Sequence, residues 1–354
     1  MDTTRRDFIQ RTAVLGGAML VAPGRASAAS YPPEGWLPAY AKLEQEGKLQ
    51  ERIGQALEAF EACEICPRQC GVNRLEGEKG YCRSPKQVTV YSAHPHFGEE
   101  VSLVGEGGSG TIFFSHCNLR CVFCQNWPIS HKGRGDRIED EELAGLMLRL
   151  QKIGCHNINL VTPTHVMPHI LNATRIAYKK GLRLPLVYNT SGYERVDVLK
   201  LLDGIVDIYL PDCKYMDGEQ SAKYSAGAAD YPELTRAAIL EMHRQVGRHT
   251  TDEFGRALRG LMIRHLVMPN RVAGTREFVR WVAEEISPAT YVNIMAQYHV
   301  AWEANDYEEI GRGITAQEFL EAMDWAEEAG LTNLDPRCRA NRRLFQRYGK
   351  ARGG

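Results

Sequence analysis

The stretch Phe113–Asn126 reads FFSHCNLRCVFCQN and places Cys117, Cys121 and Cys124 directly after a strand-like run. Three thiolates at CxxxCxxC spacing can each hold one iron of a cubane cluster, which leaves the fourth iron without a protein ligand. A cluster that only carries electrons normally has every iron capped, so an open corner points to a substrate or cofactor site. Structural zinc fits the triplet poorly, because zinc closes on four ligands and usually draws them from paired CxxC arms. His116 is the nearest fourth candidate, yet a neighbouring residue in extended chain faces the other way.

Outward from this triplet, strand-like and helix-like segments alternate. Apolar, β-rich runs lie at 111–115, 157–161, 184–189, 206–210, 262–267 and 291–295. Helical periodicity fills the intervals, as in Leu143, Leu146, Met147, Leu150 and Ile153, while Thr315-Ala316-Gln317-Glu318 has the form of a capping box opening a helix that stops at Gly330. About six βα units are too few for a closed eight-stranded barrel. The pattern predicts an α/β fold, a partial (βα)6 TIM-like barrel over residues 105–335, followed by a basic tail at 336–354. The run Glu106–Gly110 leads into a strand rather than a helix, so it reads as a turn and not as a phosphate cradle.

Residues 29–104 form an N-terminal extension. Leu49, Ile53, Leu57 and Phe60 recur at helical spacing and predict one amphipathic helix across 43–60. A second cysteine group follows in CEICPRQCGVNRLEGEKGYC, with Cys63, Cys66, Cys70 and Cys82 separated by turn-permitting glycines. Four such thiols can close on a structural zinc or an auxiliary iron–sulfur cluster, and the sequence does not choose between them. Disulfides are the alternative if the chain meets an oxidising compartment unfolded.

The first 28 residues carry a twin-arginine pattern, Thr4-Arg5-Arg6-Asp7-Phe8-Ile9, then an apolar stretch and a small-residue site at Ala26-Ser27-Ala28. This reads as an export signal recognised by the twin-arginine translocase, which gives a periplasmic location; if the signal is unused the protein is cytoplasmic. The formal net charge of −1 and the absence of a basic run disfavour nucleic acid as a partner.

The segment GSGTIFFSHCNLRCVFCQN, with Phe123 just before the last cysteine, resembles the radical S-adenosylmethionine (radical SAM) enzymes. With VTPTH, LPLVYNTSGYE, VDIYLPDCKY, RHLVMPN and YVNIMAQY it resembles more narrowly the branch homologous to the pyruvate formate-lyase activating enzyme. The resemblance implies the same partial barrel, a [4Fe-4S] cluster on Cys117, Cys121 and Cys124, and S-adenosylmethionine on the open iron. It implies an external one-electron reductant, reductive cleavage to methionine and a 5'-deoxyadenosyl radical, and hydrogen abstraction from a glycine of a protein or peptide, such as a glycyl-radical enzyme.

In such folds ligands gather at the carboxyl ends of the strands, which selects further candidates. Many members of the superfamily carry Gly-Gly-Glu after the second strand. This chain instead reads Thr162-Pro163-Thr164, whose hydroxyls or backbone would take its place. Asn189 and Ser191 after the third strand suit a ribose or carboxylate, or merely a turn. Asp212 and Lys214 bracket Cys213 after the fourth, and pair with each other or orient substrate. His265 matches a cofactor-facing histidine of the activating enzymes, and Met295 lies where adenine would stack or the barrel mouth would pack. An iron–sulfur electron carrier or redox sensor without S-adenosylmethionine cleavage is the alternative reading, and a radical enzyme acting on a small molecule is another.

Overall fold

The computed structural model describes residues 31–351; the export-signal reading at 1–28 lies outside the described residues. Among the described residues no helix is long and apolar enough to cross a membrane.

Nine strands are described: β1 (Val88–His96), β2 (Ser109–Phe114), β3 (Asp136–Ile138), β4 (Ile158–Val161), β5 (Leu186–Thr190), β6 (Ile208–Pro211), β7 (Thr250–Thr251), β8 (Ala257–Leu266) and β9 (Tyr291–Met295). Six of them, β2, β4, β5, β6, β8 and β9, run parallel in that spatial order. This is a mixed α/β fold with the strand set of a partial barrel. Its central strands are buried on both faces, which is why they read as continuous apolar runs instead of alternating ones. On the β2 side, β1 pairs antiparallel with β2 and β3 with β1. Beyond β9, Val292 donates to the carbonyl of Asn333 and accepts from Asp335, so the chain at 333–335 runs beside β9 as a stub of strand.

Helices α3 (Asp140–Ile153), α4 (Met167–Lys179) and α5 (Tyr231–Val246) pack on the sheet with Leu143, Met147, Leu150, Ile170 and Ile239 buried. Ile153, on the same stripe as Leu150 by periodicity, is exposed, because the helix stops at Gly154 in a left-handed conformation. Helix α6 (Thr275–Trp281) follows β8, and α7 (Ala316–Glu328) opens with the expected reciprocal box: Glu318 N–H donates to Thr315 Oγ1 at 3.1 Å and Thr315 N–H to Glu318 Oε2 at 2.7 Å.

Two expectations change. The single helix across 43–60 is two, α1 (Ala39–Gln45) and α2 (Lys48–Glu58), broken where Gly47 adopts φ 75°. Residues 336–354, read as a basic tail, include helix α8 (Pro336–Ala351), whose Cys338 is fully buried and whose Phe345 packs on Phe319. Two of the basic side chains that suggested a tail are paired: Arg337 with Asp335, and Arg342 with Asp324 and Glu327.

The N-terminal segment is fastened to the sheet at both ends. Tyr40 Oη donates to Leu184 O at 2.8 Å and Ala39 N–H to Asp207 Oδ1 at 2.8 Å, near the start of the strands. Residues 59–87 then climb without regular structure to the other end. There Arg74, fully buried against the Phe60 ring, donates to His165 O at 2.6 Å, and Arg68 Nε donates to Asn118 O at 3.1 Å.

Candidate active site

The loop after β2 carries the cysteine triplet in a shape held from several sides. His116 and Arg120 adopt left-handed φ of 75° and 56°, uncommon for such residues and typical of over-determined functional loops. Asn118 Nδ2 donates to Tyr193 O at 2.8 Å, Val122 N–H to Tyr224 O at 2.9 Å, and Glu303 N–H to Val122 O at 2.9 Å. Each sulfur also has a polar neighbour. Leu119 N–H donates to Cys117 Sγ at 3.4 Å, Ser225 Oγ to Cys121 Sγ at 3.1 Å, and Ser130 Oγ lies 3.1 Å from Cys124 Sγ.

All three cysteines line one cleft of about 260 Å³, whose other walls are the carboxyl ends of the parallel strands. Thr162, Asn189, Ser191 and Met295 line it too, at the ends of their strands, with Phe123 from the cysteine loop. Thr162, standing where Gly-Gly-Glu is common, takes φ 59°, a backbone conformation that glycine adopts without strain. Ser191 Oγ is buried and has no hydrogen-bond partner among the described residues. An orphaned hydroxyl in a cleft wall is a group waiting for a ligand oxygen or nitrogen.

The floor is charged. Asp212 Oδ2 lies 2.6 Å from Lys214 Nζ and its Oδ1 accepts from Arg264 Nε at 2.9 Å, because the ends of β6 and β8 set residues 212 and 264 side by side. Arg264 also donates to Asn189 Oδ1 and lies 3.5 Å from Glu99. Burial alone would raise the carboxyl of Asp212, but Arg264 and Lys214 outweigh it and hold it below the usual aspartate range. Burial likewise works against the charge on Lys214, and Asp212 overrides it. Burial pushes the Cys121 thiol up to about 12 and raises that of Cys124, a cost that a bound metal's positive charge would offset.

Two expected residues stand elsewhere. Thr164 lies beneath the cleft, donating to Glu194 Oε1 at 2.5 Å, and Thr190 donates to the same oxygen. His265 is fully buried, with Nδ1 2.7 Å from Cys213 O, Nε2 2.9 Å from Thr275 Oγ1 and its ring stacked on Phe278. Both nitrogens have structural partners, so His265 ties β8 to β6 and α6 instead of lining the cleft. Arg264, its neighbour, lines the cleft and was missed; its signal is an arginine inside the apolar run GLMIRHL.

Glu194 was also missed. Full burial pushes its carboxyl up to about 7, against the opposite pull of the Thr164 and Thr190 hydroxyls. The native state therefore binds a proton that the unfolded chain releases at lower pH, and stability falls as pH rises from the ordinary glutamate range through 7. Glu194→Gln should flatten that fall by about 2–3 kcal/mol between about pH 5 and 8, measured by urea unfolding at each pH. Asp207, pushed up to about 7 by burial, keeps its own share.

In the N-terminal segment Cys63, Cys66 and Cys82 are buried, Cys70 is partly so, and all four are free thiols. Tyr81 N–H donates to Cys70 Sγ at 3.2 Å, and backbone donors at Arg68 and Ser84 reach Cys66 and Cys82. No three His, Cys, Asp or Glu side chains among the described residues stand as the closed ligand set of a single ion. That holds for both cysteine groups alike, the triplet and Cys63, Cys66, Cys70 and Cys82.

A family model for the radical SAM superfamily matches residues 111–261, the run from β2 into β8. Over 292 residues the chain is 32% identical to the uncharacterized protein MJ0674 of Methanocaldococcus jannaschii, covering 80% of this chain and 79% of that protein. Among solved structures, a radical SAM methyltransferase from Sphaerobacter thermophilus aligns with TM-score 0.44 and 13% identity, over 84% of this chain and 92% of that one. SuiB of Streptococcus suis, solved with its precursor peptide SuiA, aligns with TM-score 0.41 and 10% identity over 60% of this chain; the match spans 43% of SuiB.

Proposed function

This chain belongs to the radical SAM superfamily, and we propose that it acts as an activating-enzyme-like member, cleaving S-adenosylmethionine and abstracting hydrogen from a glycine of a protein or peptide. Membership brings a [4Fe-4S] cluster and S-adenosylmethionine. When bound and reduced, the cluster supplies the electron that opens the sulfonium and generates the hydrogen-abstracting radical.

The observation that carries the reading is the convergence of Cys117, Cys121 and Cys124 with a polar cleft wall that includes the unpartnered Ser191 hydroxyl. In it the three cysteines hold the cluster. Ser191 and the Asn189 amide hold the ribose, Thr162 receives the amino acid end, and Met295 and Phe123 offer apolar surface to the base. Asp212, Lys214 and Arg264 fix the floor and keep Asn189 oriented. Support for a glycyl substrate comes from the blocks VTPTH, VDIYLPDCKY and RHLVMPN, which resemble the activating-enzyme branch.

We read Cys63, Cys66, Cys70 and Cys82 as a second metal site, zinc or an auxiliary cluster, on a folded N-terminal extension; backbone donors at Arg68, Tyr81 and Ser84 reach Cys66, Cys70 and Cys82, and a single zinc ion would need the four thiols to draw closer than they stand. We read residues 1–28 as a twin-arginine signal, which suits an enzyme that takes up its cofactors before crossing a membrane. An external one-electron reductant completes the system.

Anaerobic reconstitution followed by dithionite and S-adenosylmethionine is expected to give a [4Fe-4S] spectrum and 5'-deoxyadenosine. A fully loaded sample whose cluster reduces reversibly but yields no 5'-deoxyadenosine would overturn the reading in favour of an electron carrier. Transfer of deuterium from an α-deuterated glycine peptide into 5'-deoxyadenosine tests the substrate class, and transfer only from small molecules would exclude it.

A further inference from the structure

Arg68 sits in the turn Cys66-Pro67-Arg68-Gln69-Cys70 of the N-terminal extension, yet its side chain ends at the cysteine triplet. All three guanidinium nitrogens donate to backbone carbonyls there: Nε to Asn118 O at 3.1 Å, Nη1 to Ala226 O at 3.1 Å and Nη2 to Ser225 O at 3.3 Å. Asn118 lies between Cys117 and Cys121, whereas Ser225 and Ala226 follow the short helix Gly218–Tyr224. Carbonyls at a helix end have no partner within the helix, and here an arginine from a distant segment supplies one. The carbonyl before them, that of Tyr224, accepts from Val122 N–H at 2.9 Å. One planar fork therefore joins the cysteine loop to the segment packed against it.

Ser225 is where the fork bears on a ligand sulfur. It is fully buried, and its Oγ donates to Cys121 Sγ at 3.1 Å. A hydroxyl has one hydrogen to give, so the Tyr215 hydroxyl, 3.0 Å away, is the donor to Ser225 Oγ. Arg68 holds the carbonyl of this same serine, and so the backbone from which the hydroxyl is aimed.

The base of the Arg68 side chain is fixed by the other cysteine group. Arg68 N–H donates to Cys66 Sγ, and Gln69 N–H to Cys66 O at 3.0 Å. Tyr81, whose N–H donates to Cys70 Sγ at 3.2 Å, has its ring centre 4.1 Å from the guanidinium carbon. We infer that Arg68 is a positioning residue through which the N-terminal cysteine group sets the hydrogen bond on Cys121, and with it the reduction potential of the group the triplet holds. The inference rests on the reading of the triplet as a cluster site. Hydrogen bonds to ligand sulfurs favour the reduced, more negative cluster and raise its potential, so slackening the fork lowers it.

The test separates the fork from its charge. Arg68→Lys keeps the charge, but a single ammonium does not span carbonyls on two loops. On the reconstituted full chain, redox titration followed by electron paramagnetic resonance reads the midpoint potential of the signal that Cys121→Ala abolishes. Ser225→Ala should shift that midpoint to more negative values. Arg68→Lys should shift it in the same sense, and should add nothing in the Ser225→Ala background. Cys70→Ala, which loosens the turn, should lower the midpoint too, and should be silent in the Arg68→Lys background. Hydrogen–deuterium exchange on the full chain, with and without reconstitution, reads the fork itself: the Val122 amide should exchange about tenfold faster in Arg68→Lys and keep its wild-type rate in Ser225→Ala. A wild-type midpoint in Arg68→Lys, shifts that simply add, or a silent Cys70→Ala overturns the inference. If the wild-type chain assembles no cluster on the triplet, the superfamily reading fails, while an unchanged Val122 exchange rate in Arg68→Lys overturns the fork by itself.

Discussion

Cys121→Ala is expected to abolish cluster assembly and S-adenosylmethionine cleavage together. Cys121 is the most enclosed of the triplet by its partners: its sulfur accepts from Ser225 Oγ and feels the Lys214 ammonium. Removing it leaves two thiolates for a cluster that needs three, and the chemistry belongs to the cofactor, so residual 5'-deoxyadenosine formation should lie below about one-thousandth of the wild-type rate. Iron content and the charge-transfer absorption should fall with it, while the far-ultraviolet circular dichroism stays native, because the loop has its own backbone anchors at Asn118 and Val122. Retained cleavage would remove the triplet from the active site.

Asp212→Asn carries the second largest effect, and it falls on stability first. The substitution keeps the shape but leaves Arg264 and Lys214 facing each other in a buried floor with one counter-charge fewer. Breaking one partner of a buried ion network costs about 3–5 kcal/mol. Glu99, at 3.5 Å from Arg264, retains a fraction of that, so a loss near about 3 kcal/mol is expected in urea unfolding at pH 7. The wild-type contribution follows pH in the sense of a depressed carboxyl: it is fully present above the ordinary aspartate range and disappears as pH drops through the lowered native value. A fall of less than about 1 kcal/mol, comparable to an exposed pair, would mean that the network is solvated.

Much of the fold was legible because parallel strands buried on both faces leave a coarse signature, an apolar run closed by a polar residue. Every one of the six runs overlaps a parallel strand to within a residue or two at its ends, except that β8 begins at Ala257, five residues before its run does, since Ala257 and Arg259 pair with β7. The break at Gly47 was not legible, because Leu49, Ile53 and Phe60 are buried on the same side with or without it. Within the site the cysteines were readable from spacing alone. Arg264 was not, because its partner Asp212 is remote in sequence and only the pairing of neighbouring strand ends joins them. Glu194 was hidden in part for the same reason: Thr164, which donates to it along with nearby Thr190, is remote in sequence and comes from the end of a different strand. His265 illustrates the opposite case, a position matched by resemblance whose ring the packing has taken for Cys213 and Thr275.

The stub at 333–335 beside β9 has a bearing on how this protein behaves in concentrated solution. An incomplete barrel has two open flanks, and a bare flank is a template on which another chain can add by backbone pairing. Here one flank ends in β3, three residues long with two charged side chains, and the other is occupied by Asn333 and Asp335 and shielded by the helix that carries Cys338. The last helix thus guards against edge-to-edge aggregation as well as completing the core, and a chain cut before Asn333 would lose solubility before it lost its cleft.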